Sequence, residues 1–172
     1  MTESQEHEVE ENTSLTLMIL SLVSNKTKAH LGKKGQHRAN RSPPSFPNYQ
    51  DFILDSGASV HTVCKKEYPV NIKSISKTVA WGNASSLTVK TCGNVHLQFQ
   101  DTGETLVLRD VLLIPDLGIN IISLSETPDL TAVFQRRQGT ATLYTENNTL
   151  LSQAKIRNRL YILNLNYARA NG

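Results

Sequence analysis

From residue 51 onward, apolar residues occur in short runs or alternate with polar residues, and turn-forming residues separate these stretches. This pattern is typical of short strands joined by hairpins and loops. The predicted strands are 52–54, 79–81, 87–89, 95–99, 105–108, 111–114, 119–124, 131–134, 140–144, 150–154 and 160–165. No stretch has the apolar spacing of a long amphipathic helix. The pattern therefore predicts an all-β sandwich or barrel.

The first 49 residues differ in composition from the rest. Five glutamates precede Asn12, an apolar stretch covers residues 15–23, and six lysines and arginines follow in residues 26–41. A segment that buries so little apolar surface is predicted to be a flexible arm. Its basic part suggests weak contact with RNA or DNA phosphates. A solvated linker explains the same charges at least as well, because no aromatic residue is interleaved for base stacking.

Composition narrows the class of protein. The 172 residues carry a net charge of +3 and are 38% hydrophobic, which is enough for one core of ordinary size. Two cysteines exclude a disulfide-built scaffold and fit a reducing intracellular compartment. Residues 15–23 are too few to span about 30 Å of hydrocarbon, and glutamates rather than basic residues precede them. We expect neither a membrane segment nor secretion.

The triplet Asp-Ser/Thr-Gly occurs twice, at residues 55–57 and 101–103. Asp55 ends an apolar run, and a carboxylate delivered by a buried strand is costly unless the protein uses it. Asp101 lies between two alternating strands, where Asp and Gly are ordinary turn residues. We therefore predict a hairpin turn at Asp101 and candidate chemistry at Asp55. A plain β-turn at Asp55 remains the competing interpretation.

Carboxylates hydrolyse a peptide bond best as a pair that shares one proton across a captured water. A chain that supplies one such Asp requires a second copy, and a two-fold homodimer places both at its axis. Ser56 would then form a hydrogen bond across the axis, and Gly57 would permit the close approach of the two loops. Such a dyad activates its own water and requires no cofactor.

Residues 52–62, which read Phe-Ile-Leu-Asp-Ser-Gly-Ala-Ser-Val-His-Thr, resemble the active-site segment of the copia-type LTR retrotransposon protease, a retropepsin-like aspartic protease of the Pol polyprotein. Residues 109–123 are similar to the V-L-x-[hydrophobic]-P-x-L-x-x-N-L-[hydrophobic]-S block of that family. Residues 79–85 and 89–95 resemble its glycine-bearing hairpin and the G-x-G-x-V strand that follows. Two positions depart from the pattern: Phe52 stands where Trp is usual, and Thr91 occupies the first glycine position.

The resemblance implies a closed retropepsin-like (acid protease) β-barrel and assigns roles to residues. Asp55 would be one half of the catalytic dyad of a homodimer. The residues that would support the active site are Ser56, Gly57 and Ala58. The residues that would form a substrate-binding flap are Trp81, Gly82, Asn83, Ala84 and Ser85. No metal or other cofactor is implied.

The resemblance also suggests how the chain is organised and what it does. It implies a flexible arm over residues 1–49, a protease barrel over 50–130, and a β-rich extension over 131–172 that leads towards the pre-integrase region. The substrate would be the Gag-Pol polyprotein of the same element, cleaved in the cytoplasm within a virus-like particle, or in the nucleus. The alternative is a catalytically inactive barrel remnant of a Pol polyprotein that serves as a binding or structural module.

Two other constellations compete with the dyad. His61 and Cys64, together with Cys92 and His96, could supply four zinc ligands, although positions 61 and 64 point to opposite faces of a strand. Buried free thiols and hydrogen-bonded histidines explain the same residues. Ser59 and His61 could act as nucleophile and base, but no orienting carboxylate and no Gly-x-Ser-x-Gly elbow accompany them.

Overall fold

The computed structural model describes residues 50–81 and 85–167, and the predicted arm over residues 1–49 lies outside them. The described chain is all-β, with one short 3-10 turn at Pro115–Leu117. Its strands are β1 Phe52–Asp55, β2 Thr62–Val63, β3 Val70–Trp81, β4 Ser85–Phe99, β5 Thr105–Leu113, β6 Asn120–Ser123, β7 Leu130–Gln135, β8 Thr140–Thr145, β9 Leu150–Arg157, β10 Leu160–Leu163 and β11 Leu165–Tyr167. Within these ranges, no helix is long and apolar enough to cross a membrane.

Several predicted strands are shorter than the observed ones. The prediction of separate strands over 87–89 and 95–99 is wrong, because both belong to β4. The predicted strands 105–108 and 111–114 likewise form one strand, β5, which ends one residue earlier, at Leu113. The ladder between β4 and β5 shifts register between Gly93 and Val95, and a positive φ of 51° at Asp110 lies within this bulge. A bulge adds a residue to one strand without ending it. Because the residues at this bulge include Asn94, Arg109 and Asp110, the sequence there resembles that of a turn.

The described residues form two compact units. The smaller unit contains residues 76–81 and 85–89, which are the outer parts of β3 and β4, and most of its described side chains are exposed. The pairing of β3 with β4 confirms the predicted hairpin, whose tip at residues 82–84 lies outside the description. The larger unit contains residues 50–75 and 90–167.

The strands of the larger unit close into a barrel. Their order is β11-β4-β5-β2-β6-β1-β10-β9-β8-β7, with β11 beside β4 and β10 beside β1. Only Asn164 separates β10, which pairs with β1, from β11, which pairs with β4. This connection joins the two ends of the series from β11 to β10 and closes it into a ring. The prediction of a single strand over 160–165 is therefore wrong in detail. The strand is interrupted at Asn164, and its two parts pair with different strands, β1 and β4. The all-β barrel prediction itself is confirmed.

Residues 131–167 belong to the same sheet, and several of them lie in the core of the barrel. Strands β9, β8 and β7 continue from β10 as an antiparallel sheet. One buried cluster contains residues from both parts of the chain: Phe52, Leu54, Val63, Tyr68, Val95, Leu97, Phe99, Leu108, Val111, Ile122, Ala141, Leu143, Leu151, Ala154 and Leu163. Strand β10 thus covers one side of β1, the strand that leads into Asp55.

Strand β6 pairs with the other edge of β1. It lies between β1 and β2, parallel to the former and antiparallel to the latter, although β1 and β2 are consecutive in the chain. All four residues of β6 are buried, as expected for a central strand with neighbours on both edges. The loop between β1 and β2 must therefore cross the end of β6, and this loop carries Asp55.

Candidate active site

Asp55 is the last residue of β1. The three residues before it are buried and Asp55 is half-buried, so the strand delivers the carboxylate to the edge of the core. The backbone N–H of Gly57 donates a hydrogen bond to Oδ1 of Asp55 at 2.8 Å. This local bond fixes the orientation of the carboxylate, while Oδ2 has no hydrogen-bond partner within residues 50–81 and 85–167. The second oxygen is available to a water or to another chain.

The end of β6 holds the Asp55 loop. Asp55 lies opposite Ser123 in the parallel pairing of β1 with β6, and the N–H of Leu124 donates to the carbonyl oxygen of Asp55 at 3.0 Å. The hydroxyl of Ser123 and that of Ser125 both donate to the carbonyl oxygen of Ala58, the latter at 2.8 Å. These bonds tie both ends of the Asp55–Ala58 turn to the last residue of β6 and to the two residues that follow it.

His61 lies on the far side of the same loop and is buried. Its Nδ1 accepts the backbone N–H of Ser123 at 3.0 Å, and its own carbonyl oxygen accepts the N–H of Leu112 at 3.0 Å. Burial lowers the pKa of His61 below its usual value, against the opposing influence of the Glu126 carboxylate and of hydrogen bonding to the Glu126 backbone. The imidazole is therefore neutral at pH 7.

The predicted supporting residues adjoin Asp55 but differ in exposure: Ser56 is exposed, Gly57 is half-buried and Ala58 is buried. An exposed Ser56 hydroxyl is compatible with a partner outside the chain. Of the predicted flap, Gly82, Asn83 and Ala84 lie outside the described residues, and Trp81 and Ser85 are described only as the backbone ends of β3 and β4. The flap stays a prediction.

The hairpin turn predicted at Asp101 is confirmed, because residues 100–104 connect β4 to β5 and Gly103 has a φ of +77°. The turn also makes a contact that local sequence does not show. The Asp101 carboxylate accepts the hydroxyl of Ser152 and the backbone N–H of Gln153, the latter at 2.9 Å. Asp101 is thus occupied with holding β9.

Two residues that help to build the site were not singled out from the sequence for this purpose. Ser123 binds the Asp55 loop, as described above. Asn120, at the start of β6, is fully buried, accepts the N–H of Cys64 through Oδ1 at 3.0 Å and donates through Nδ2 to the carbonyl oxygen of Asp51 at 3.1 Å. Both residues fall within the 109–123 block that resembles the protease family, and that resemblance was the signal that could have identified them.

The competing constellations are not assembled. Cys64 and Cys92 are buried and form no disulfide, and His96 is half-buried in β4. Across the ranges that the structure describes, no group of three or more His, Cys, Asp or Glu side chains is arranged to hold a metal ion. Ser59 is exposed, whereas the Nδ1 of His61 is occupied by the Ser123 N–H. This imidazole nitrogen cannot serve Ser59 as a base.

Comparison with known proteins agrees with the fold. A family described as the Pol polyprotein, beta-barrel domain, matches residues 52–132, which contain β1 to β6 and the Asp55 loop. No curated protein and no solved structure matches the chain. Residues 52–132 of this barrel are thus similar to the beta-barrel domain of Pol polyproteins.

Proposed function

We propose that this chain is the aspartic endopeptidase of a copia-type retrotransposon and that it cleaves its own Gag-Pol polyprotein as a homodimer. The observation that carries the proposal is the Asp55 carboxylate, which stands half-buried at the end of a buried strand with Oδ1 held by the Gly57 N–H. A turn residue with no chemical role would gain nothing from this position, because partial burial of a carboxylate costs free energy.

The arrangement suits one half of an acid dyad. Two such carboxylates at a two-fold axis cannot both ionise when they are about 3 Å apart, so they share one proton. The ionised Asp55 would remove a proton from a water held between the chains, while its protonated counterpart would donate to the carbonyl oxygen of the peptide. The exposed Ser56 hydroxyl would bind the opposite loop and keep the two carboxylates aligned.

The second carboxylate is expected from another copy of the chain. The other Asp-Thr-Gly triplet cannot supply it, because the Asp101 carboxylate is bound to Ser152 and Gln153 of β9. An isologous homodimer would supply the second carboxylate, since each of its two identical chains contributes the same loop. The extended linkers between the domains of a polyprotein would bind strand to strand to the hairpin of β3 and β4.

The test is self-cleavage of the full chain fused at its N-terminus to a reporter, at about pH 5 to 7, where a shared proton is expected. We expect cleavage by the wild type, none by Asp55→Asn, and wild-type cleavage by Asp101→Asn, which is the matched control. Asp55→Asn keeps an oxygen that can accept the Gly57 N–H, so the loop should stay folded.

Sedimentation of the same samples separates this function from the alternative. An active protease must dimerise, and addition of Asp55→Asn chains to wild type should reduce cleavage because mixed dimers contain a single catalytic Asp. A folded wild-type dimer that does not cleave would contradict the proposal. That result would favour the inactive barrel remnant that serves as a binding or structural module.

A further inference from the structure

His61 connects the end of β6 to the loop that carries Asp55. Its Nδ1 accepts the Ser123 N–H at 3.0 Å, and the Ser123 hydroxyl donates to the carbonyl oxygen of Ala58. His61 is 4% exposed and Ser123 is fully buried, so water does not compete for either bond. Ser123 therefore transmits the position of the imidazole to the turn of Asp55.

We propose that His61 is a positioning residue for Asp55, that it acts only as the neutral imidazole, and that its protonation releases the catalytic loop. The proposal rests on the function proposed above, because it assigns a pH-dependent control to the same site. This role accounts for the buried His61 without a zinc site and without a serine nucleophile that uses the histidine as its base.

The direction of the Ser123–His61 hydrogen bond determines the protonation state. A backbone N–H can only donate, so Nδ1 must present its lone pair and the proton of the neutral ring lies on Nε2. A second proton can only go to Nδ1, where it faces the Ser123 N–H across the 3.0 Å that the bond now spans. Two donors then oppose each other, and the buried amide of Ser123 has lost its acceptor.

The displacement of Ser123 would reach Asp55 by two short routes. The Cα atoms of the two residues are paired between β1 and β6, and the next amide, that of Leu124, donates to the carbonyl oxygen of Asp55 at 3.0 Å. The Ser123 hydroxyl also holds Ala58, three residues after Asp55. A shift of about 1 Å in a catalytic group is enough to reduce a rate about a hundredfold.

The charged groups on the elements around His61 are few. Glu126 follows β6, and Asp55 ends β1 at the start of the same loop. From β5, the contact is the backbone N–H of Leu112, which donates to the carbonyl oxygen of His61. Burial, the dominant influence, lowers the pKa of His61 below 6.5, so the loop is held at pH 7 and released on the acid side.

The first test follows protons and does not depend on cleavage. The full chain with Asp55→Asn, which cannot process itself, is titrated by NMR from about pH 7.5 to pH 4.5, a range that spans the ordinary histidine pKa. We expect the His61 ring nitrogens and the amides of Ser123 and Gly57 to change with one common midpoint, and exchange of the Ser123 amide to accelerate below it. Titration of the ring with both amides unmoved would overturn the proposal, and so would a ring that stays neutral until the protein unfolds.

The second test uses cleavage and matched variants. His61→Asn can offer a carboxamide oxygen to the Ser123 N–H but cannot take up a proton. It should therefore cleave about as well as wild type at pH 7, and its acid-side decline should begin at a lower pH, where protonation of both Asp55 carboxylates stops the reaction. His61→Leu has no acceptor and should lose about ten- to a hundredfold in rate at every pH. His96→Asn, which removes an imidazole from β4, should keep the wild-type profile.

An acid-side decline of His61→Asn with the same midpoint as that of wild type, or full activity of His61→Leu, would contradict the proposal. If His61→Leu does not fold, His61→Asn and the wild-type titration still decide. If no variant and no wild-type chain cleaves, the protease function fails, while the NMR titration still shows whether His61 controls the Asp55 loop. The two failures are therefore distinguishable.

Discussion

The carboxylate of Asp101 accepts the hydroxyl of Ser152 through both of its oxygens, at 3.0 Å to Oδ1 and 3.1 Å to Oδ2. Strand β10 pairs only with the last part of β9, residues 155–157, so the earlier part of β9 lacks a neighbour on that side. The turn between β4 and β5 occupies this edge, because Asp101 also accepts the Gln153 N–H and the Thr102 hydroxyl donates to the carbonyl oxygen of Leu151. The triplet at residues 101–103 thus has a structural role, which is to hold this edge of β9.

Replacement of Asp101 by Ala should destabilise the fold without removing the proposed chemistry. The buried Ser152 hydroxyl and the Gln153 N–H would lose their acceptor, and we expect the free energy of unfolding to fall by about 2 kcal/mol in urea denaturation. Asp101→Asn should cost less, since one acceptor oxygen remains. Asp129→Ala is the control, because Asp129 is exposed and makes no hydrogen bond within the described chain. Equal stability of Asp101→Ala and Asp129→Ala would contradict this assignment.

Gly93 is expected to be intolerant of any side chain. A Cβ at this position would lie 2.7 Å from the carbonyl oxygen of Val70 and 2.9 Å from Cβ of Pro69. The first contact is with backbone and the second with a rigid ring, so neither neighbour can move aside cheaply. Gly93→Ala should lower the free energy of unfolding by roughly 1–3 kcal/mol, the usual cost of overpacking.

The control for Gly93 is Thr91→Ala, two residues earlier on β4. Thr91 is half-buried and occupies the position where the resembling family has its first glycine. A small residue should fit there with a change within about 0.5–1 kcal/mol, as for a substitution outside the core. Thermal or urea unfolding of both variants measures the difference. If Gly93→Ala is as stable as Thr91→Ala, the backbone of residues 69–70 can move away from the added methyl group, and the prediction is wrong.

The positions of most strands follow from the sequence because side chains alternate between the two faces of a strand with a period of two, and residues 95–99 of β4, which alternate between buried and half-buried, show this pattern clearly. The bulge at Gly93–Val95 could not be predicted in this way, since its polar residues resemble a turn. The position of Asp55 at the end of a buried strand was also predictable from the apolar run before it. The contacts of Asp55 with Ser123 were not, because they join strands more than sixty residues apart and depend on the insertion of β6 between β1 and β2.

Asn120 should be one of the least replaceable polar residues of the barrel. It is fully buried, and its carboxamide accepts from the N–H of Cys64 and donates to the carbonyl oxygen of Asp51. Asn120→Ala leaves both backbone groups without these bonds and should cost roughly 2–4 kcal/mol, about 1–2 kcal/mol for each. Urea denaturation at pH 7 measures the loss.

Asn120→Asp tests the same site through pH. A buried carboxyl can keep the bond from Cys64, but it can donate to Asp51 only while protonated, so its pKa should be raised. The unfolded chain would then ionise first, and stability should fall as pH rises above about 4, the ordinary value for Asp. A stability of Asn120→Asp that is independent of pH relative to wild type would show that the donor to Asp51 is not needed.

His61 should make the stability of the whole fold depend on pH. Because burial lowers its pKa in the folded state, the unfolded chain binds a proton first as pH falls below 6.5. The free energy of unfolding should therefore be fully retained above that value and should decrease on the acid side until the folded pKa is reached, by up to about 1.4 kcal/mol per pH unit. Urea denaturation at closely spaced pH values measures the slope, and His61→Asn should remove this part of it, whereas His96→Asn should leave it in place. An unchanged slope in His61→Asn would mean that another group controls the acid stability of the barrel.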